Sequence, residues 1–202
     1  MSAFRDLVGV LEKKGFRTQY FESVLQVRDA LLAAIEPEQS VGIGGSVTIQ
    51  EIGVEEPLRQ RGNEVYWHWR VPDSQRGEIT KKAFLADVYL MSANAISPGG
   101  MIVNIDGAGN RIGTMIGGPG KLIMVIGRNK LTRNDEKPVD RIRRVACPQN
   151  ARRLELNTPC AKTDLCNDCK SPDRMCHVTV ALERPPEGRD MEVWLVDQEL
   201  GY

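Results

Sequence analysis

An excess of charge of either sign is missing from this chain. Among 202 residues, Lys and Arg together number 27, and so do Asp and Glu. A protein that neutralises a run of nucleic-acid phosphates needs a basic surplus, so the whole-chain balance excludes a nucleic-acid partner as the main function. The local basic stretches, 141–144 and 152–153, read as solvated helix faces. No apolar run approaches the roughly 18 residues of a membrane span. Residues 1–6 lack the apolar segment of a signal peptide. The expectation is a cytoplasmic chain with no membrane partner, whose five cysteines stay reduced or hold a metal. Internal repeats and low-complexity linkers are also absent, which points to one domain over 1–202.

What is present is enough for a core. Apolar residues make up 41% and charged residues 27%, a globular balance. Phe4, Leu7, Val8 and Leu11 form a helical stripe that stops at Gly15. Residues 16–21 read as a short strand. Ser23-x-x-Gln26 is a capping box for a helix whose Val24, Val27, Leu31 and Ile35 share a face and which Pro37 ends. Ser40-Val41-Gly42-Ile43-Gly44 reads as a buried strand entering a Gly-rich turn, and Thr48-x-x-Glu51 as a second capping box, for a helix from Ile49. Strands follow at 64–68 and 88–91, with a helix at 78–85 between them. Residues 101–105 and 111–115 alternate around Asp106-Gly107-Ala108-Gly109-Asn110, a hairpin pattern. The continuous apolar run 122–126 suits a parallel strand buried on both faces. Residues 139–156 read as helical with a break at Pro148, and 178–182 and 192–196 as late strands. Strands alternating with helices predict an α/β fold with a doubly wound, mostly parallel sheet and an antiparallel hairpin.

In such a sheet, ligands sit beyond the C-terminal strand ends. There the Gly42-Ile43-Gly44-Gly45-Ser46-Val47-Thr48 turn allows a backbone to approach a ligand closely, and the Ser46 and Thr48 hydroxyls add donors for a phosphate or carboxylate. The plainer reading is that Thr48 caps its helix and Ser46 completes the turn. No Gly-Lys-Ser/Thr follows, so this is not a Walker A loop, and no good G-x-G-x-x-G fingerprint is present. Asn94 lies in the loop after 88–91, with both donor and acceptor; it can equally bond its own turn. Gly118 lies in the Gly117-Gly118-Pro119-Gly120 segment before the strand at 122, and Lys130 follows that strand, placed to reach an anion or simply to sit in water. His68, between Trp67 and Trp69, is either an acid/base group or a partly buried strand histidine. No nucleophile–base–acid spacing is readable, so no catalytic residue is named.

Cys160, Cys166, Cys169 and Cys176 form C-x5-C-x2-C-x6-C, with Cys147 standing apart. Four thiolates on a turn-rich loop can close around zinc or an iron–sulfur cluster. The alternatives are idle reduced thiols or disulfides formed on purification. His177, beside Cys176, is a substitute ligand by type, though adjacent side chains of a strand point apart.

Taken in order, Gly44-Gly45-Ser46-Val47-Thr48, Ala86-Asp87, Ser92-Ala93-Asn94-Ala95-Ile96, Asn104-Ile105-Asp106-Gly107-x-Gly109-Asn110-Arg111, Gly118-Pro119, Gly127-x-Asn129-Lys130 and Asn150-Ala151-Arg152 resemble the LUD domain (DUF162) of lactate-utilisation proteins B and C. The resemblance is to a stand-alone member with a cysteine-rich loop at 158–177. It implies a fold similar to ribose-5-phosphate isomerase, glucosamine-6-phosphate deaminase and the CoA transferases. It also implies a small-molecule anion site drawing on Gly44, Gly45, Ser46, Thr48, Asn94, Asn110, Arg111, Gly118 and Lys130. Three functions follow as expectations. The first is a carboxylate- or phosphate-binding protein of lactate utilisation and redox metabolism, as a homo-oligomer or with a redox partner protein. The second is an enzyme of the isomerase or CoA-transferase type whose metal loop is structural. The third is a regulatory or assembly protein.

Overall fold

The computed structural model describes residues 3–134 and 136–202. Its central strand, β7 (Lys121–Gly127), contains the apolar run. Leu122, Met124 and Ile126 enter one apolar core, and Ile123 and Val125 enter another. A strand apolar on both faces must be covered on both sides. Its neighbours repeat the alternation. In β4 (Val88–Met91), Tyr89 and Met91 join the first core and Val88 and Leu90 the second. In β9 (Met191–Val196), Val193 and Leu195 join the first and Trp194 and Val196 the second. The first face is covered by α1 (Ala3–Lys13), α5 (Asp73–Leu85) and α6 (Asn110–Gly117), through Leu7, Leu11, Ala83, Ile112 and Met115. The second is covered by α2 (Val24–Ala34), α3 (Val47–Ile52) and α4 (Glu55–Gln60), through Leu31, Ile49 and Leu58.

With β1 (Arg17–Phe21), β2 (Val41–Ile43) and β3 (Val65–Trp67), the sheet has the order β1-β9-β7-β4-β2-β3, and every pairing is parallel. From β2 the chain moves outward to β3. From β4 the sheet continues the other way, to β7. The connections leaving β2 and β4 therefore diverge, and a crevice opens between them at the C-terminal edge. Gly42 makes the close packing beneath it feasible, since a Cβ there would lie 2.3 Å from the Ala83 carbonyl oxygen at the end of α5.

A smaller antiparallel sheet, β5 (Ala95–Ile96), β6 (Ile102–Asp106) and β8 (Val178–Leu182), packs beside that edge. A third core fills the space between it and a continuous helical segment. That segment is α7 (Pro138–Arg141), one π-helical turn (Ile142–Ala146) and α8 (Cys147–Arg153).

Four local expectations are corrected. The antiparallel hairpin is β5–β6, and its proposed second arm, 111–115, lies in α6. Arg111-Ile112-Gly113-Thr114-Met115 satisfies a period of two, but Ile112 and Met115 also share a helical face. The Asp106 carboxylate settles the choice by accepting the Arg111 and Ile112 N–H groups at 3.1 and 3.3 Å, satisfying the free end of a helix. Thr48 does not cap α3. Ser46 does, accepting the Ile49 N–H at 3.3 Å. Pro148 does not break the helix, because it follows directly on the π turn, whose wider winding makes room for a ring that has no N–H to donate. The 141–144 stretch is not a solvated face throughout, since Arg141 is only 4% exposed. The Ser23 cap holds, with the Gln26 side chain accepting from the Glu22 N–H rather than from Ser23.

Candidate functional site

The crevice between β2 and β4 is the mouth of a cleft of about 670 Å³. The β2–α3 turn brings Gly45, Ser46 and Thr48 to it, β4 brings Asn94, and the β6–α6 turn brings Asn110 and Arg111. A single 3₁₀ turn after β7 brings Lys130. Seven of the nine residues named from sequence therefore line one space. Gly44 stands directly behind it, where a Cβ would lie 2.9 Å from Tyr89 Oη and 3.0 Å from Arg111 Cγ. Gly118 is a correction. It lies outside the lining residues, against the Thr114 carbonyl and Arg189, ahead of the start of β7.

The polar groups of the cleft divide into those that build it and those left to act. Asn94 is a builder. Its Oδ1 accepts the Ile105 N–H at 3.0 Å, and its own N–H donates to Asn104 Oδ1 at 3.0 Å, tying β5 to β6. Asp106 is another, since its Oδ1 accepts the Gly107 N–H and its Oδ2 accepts the Arg111 and Ile112 N–H groups at the start of α6. Thr48 donates to the Leu200 carbonyl and Glu51 accepts the Gly201 N–H, so α3 straps down residues 200–202. Asn129 holds the same segment from the other side, accepting the Leu200 N–H and donating to the Gly201 carbonyl. Beneath them Arg141 donates to the carbonyls of Asn94 (2.6 Å), Asn129 (2.7 Å) and Tyr202 (3.1 Å). Burial lowers the Arg141 pKa to about 10.

Lys130 stands apart from this network. It is 3% exposed, and among the described residues no carboxylate pairs with its ammonium. Desolvation, then the charges of Arg141 and Arg111, lower its pKa to about 7, against a smaller opposing effect of Glu51. An amine that is buried, unpaired and poised between charged and neutral is costly to the fold and is a recognised mark of a functional group. The whole lining is biased the same way. Arg70, Arg76, Arg111, Lys130 and Arg153 face the cleft against a single carboxylate, Asp106. His68 and Trp69 complete the rim. The Arg153 guanidinium lies 4.3 Å from the Trp69 ring centroid, and Trp67 stacks on Trp69 at 5.5 Å. The His68 pKa is lowered, mainly by burial and then by Arg76. Gly45 leaves room for this aromatic wall, since a Cβ there would lie 3.2 Å from Trp69 Nε1.

Sequence reasoning missed Trp69, Arg141, Arg153, Tyr202 and Cys147. A usable signal existed for the helical ones: across the π turn, Ile142, Ala146, Cys147, Asn150 and Arg153 present one continuous face to the cleft. As the N-cap of α3, Ser46 has a separable structural effect. Ser46→Ala is expected to lower stability by about 1 kcal/mol in urea denaturation. A loss above about 3 kcal/mol would show that the hydroxyl does more than cap.

The cysteines gather beside the start of α8. Cys160, Cys166, Cys169 and Cys176 line one small cavity, and Cys147, from the first turn of α8, lines it too. Cys147 Sγ lies 3.4 Å from Cys176 Sγ. This contact and burial raise the Cys147 pKa, while the same contact, followed by Arg174 and Arg143, lowers that of Cys176 to about 7. Among the described residues no three His, Cys, Asp or Glu side chains are already gathered as metal ligands. Among those residues, too, no helix is long and apolar enough to cross a membrane.

Comparison with known proteins agrees with this architecture. No curated protein matches the chain. A DUF162 family protein from Deinococcus radiodurans, solved by crystallography, shares the fold with a TM-score of 0.52 at 12% identity, over 96% of this chain and 93% of that one. The LUD domain matches residues 5–196, nearly the whole α/β unit described above, and the chain belongs to the LUD-domain family.

Proposed function

We propose that the cleft binds a small anion, a carboxylate or a phosphate ester, and that the protein serves lactate utilisation, for which its family is named, and the redox metabolism linked to it. One observation carries this reading. In a chain of zero formal net charge, five Lys or Arg side chains line one cleft with one carboxylate, which already caps a helix; Arg70 and Arg76 are paired with Glu55 and Asp73, while Lys130 and Arg153 form no ion pair among the described residues. Positive charge concentrated in a concave, partly desolvated site attracts and holds an anion far better than the same charge on an open surface. Lys130 adds a buried cation that forms no ion pair among the described residues, a place an anion would fill.

Thermal-shift and calorimetric titration with L-lactate, pyruvate, phosphosugars and CoA esters tests the proposal. A ligand at a hundred times its Kd stabilises by about 2.7 kcal/mol. For a domain of this size that is a rise of roughly 5–10 °C in Tm, weakening as salt is added. A flat response across all four classes sinks the reading. A response to lactate or pyruvate alone supports the link to lactate; one to phosphosugars or CoA esters moves the protein towards the isomerase- or transferase-type enzyme. The near-neutral Lys130 favours that second reading, because an amine that titrates near pH 7 can exchange a proton with a bound substrate.

A further inference from the structure

The anion cleft does not account for the cysteines. Of the five, Cys166 is exposed, Cys169 and Cys176 are half-buried, and only Cys147 and Cys160 are buried. Thiols kept as small apolar packing groups belong in the core, and three of these are not there. Yet all five line the same cavity, of about 30 Å³. Four arrive on one loop, and the fifth crosses a separation of 29 residues to reach it.

The loop is folded to make this convergence. Arg174 lies at its centre, donating to the carbonyls of Cys169 at 2.7 Å and Cys176 at 2.9 Å, with its other side paired to Asp168. Ser171 donates to the Asn157 carbonyl at 3.0 Å, and Asp173 accepts the Asn157 N–H at 3.0 Å, closing the base of the loop. Arg143, Arg174 and Asp168 also line the cavity; Asp168 is paired with Arg174, so two guanidinium groups and one carboxylate face whatever negative charge the sulfurs acquire.

The sulfur geometry discriminates between uses. At 3.4 Å, Cys147 and Cys176 are well beyond the roughly 2.05 Å of a disulfide. They are close to the edge of a tetrahedron of thiolates about a metal, roughly 3.8 Å for a metal–sulfur bond of about 2.3 Å. Two sulfurs are thus near ligand spacing. Cys160, Cys166 and Cys169 line the same cavity as these two.

We propose that the cavity is a thiolate-bound metal centre, taking zinc or an iron–sulfur cluster, in which Cys147 of α8 is a ligand together with cysteines of the 160–176 loop. For zinc, four thiols lose their protons to solvent as four metal–sulfur bonds form, leaving a doubly negative site that Arg143 and Arg174 partly offset. Cys147, Met175 and Cys176 line the anion cleft as well as the cavity. The centre therefore stands in the wall of that cleft.

The test is metal content. Protein purified anaerobically is assayed for zinc, iron and acid-labile sulfide, with a visible spectrum, before and after reconstitution with zinc or with iron and sulfide. The expected result is about one zinc in a colourless protein, or about two iron in a brown one, per chain, since thiolates as close as those of Cys147 and Cys176 share one metal atom. Cys147→Ser and Cys176→Ser should each lower retention at least about tenfold. Cys166→Ser, at an exposed position, should do so with its circular dichroism and Tm before loading unchanged, which separates ligand loss from misfolding. His177→Ala, whose ring bonds the Arg174 carbonyl, should retain the metal. Metal below about a tenth of an equivalent after both reconstitutions overturns the proposal. So does a Cys147→Ser variant that loads like the parent. None of these readouts uses a cleft ligand, so the anion reading can fail without touching them.

Discussion

Lys130→Met is expected to raise stability and abolish anion binding in the same protein. A Met side chain fills nearly the volume of the lysine stem and removes a lone amine from a site that is 3% exposed. With the Lys130 pKa lowered from 10.5 to about 7, the burial penalty has an upper value of roughly 5 kcal/mol. Relaxation of the surroundings reduces what is observed to about 2 kcal/mol, a gain of some 4–8 °C in Tm.

The pH dependence distinguishes this cause from a generic packing gain. Between pH 7 and pH 10.5 the unfolded lysine holds a proton that the folded one has lost. The parent therefore gains stability as pH rises through that window. Below about pH 7 both states are protonated and the penalty is full. The advantage of Lys130→Met should be greatest at neutral pH and below, and should shrink towards pH 10. Urea denaturation of both proteins at pH 6.5, 8 and 9.5 measures it. Parallel stability curves would show that Lys130 is not the strained group described here. Retained anion binding by Lys130→Met would remove it from the ligand site.

Arg141→Ala is expected to have the opposite effect, costing about 3–5 kcal/mol. Its guanidinium serves three carbonyls from three separate segments, at Asn94, Asn129 and Tyr202. Truncation leaves these without their donor in a buried place and removes the tie at Tyr202 from a segment that Thr48, Glu51 and Asn129 still hold. Lysine is a poor substitute, since one compact ammonium cannot match a planar fork spread over three acceptors. Arg141→Lys should recover less than half of the loss. A fall of less than about 1 kcal/mol for Arg141→Ala, at an unchanged m-value, would mean that water replaces the guanidinium and that the three segments hold without it.

How far the molecule was legible beforehand depended on the range of the interaction. Leu122 to Ile126 announced the central strand because only a strand covered on both faces uses five apolar residues in succession. The Gly44-Gly45-Ser46 turn and the Asn94 loop were readable because position at a strand end is a local property. The 111–115 segment was not, since its pattern fits both periods, and a carboxylate five residues upstream tips the balance. Thr48 carries the pattern of a cap, yet its hydroxyl serves Leu200, 152 residues away. Arg141 and Cys147 were misjudged for the same reason. One looked like any surface arginine and the other like a stray thiol, and their partners are distant in the chain.

The amino-acid order by itself determined the α/β alternation, the buried parallel strands, the glycine turns and the cysteine loop, because each is written in short-range periodicity and backbone preference. Only the tertiary structure decided which cations face inward, that Lys130 is buried with no ion pair among the described residues, and that Cys147 joins the other four thiols. Burial and pairing arise between segments that meet only when the sheet has closed, and that meeting changes the energy of a charge or a thiol far more than any neighbour along the chain does.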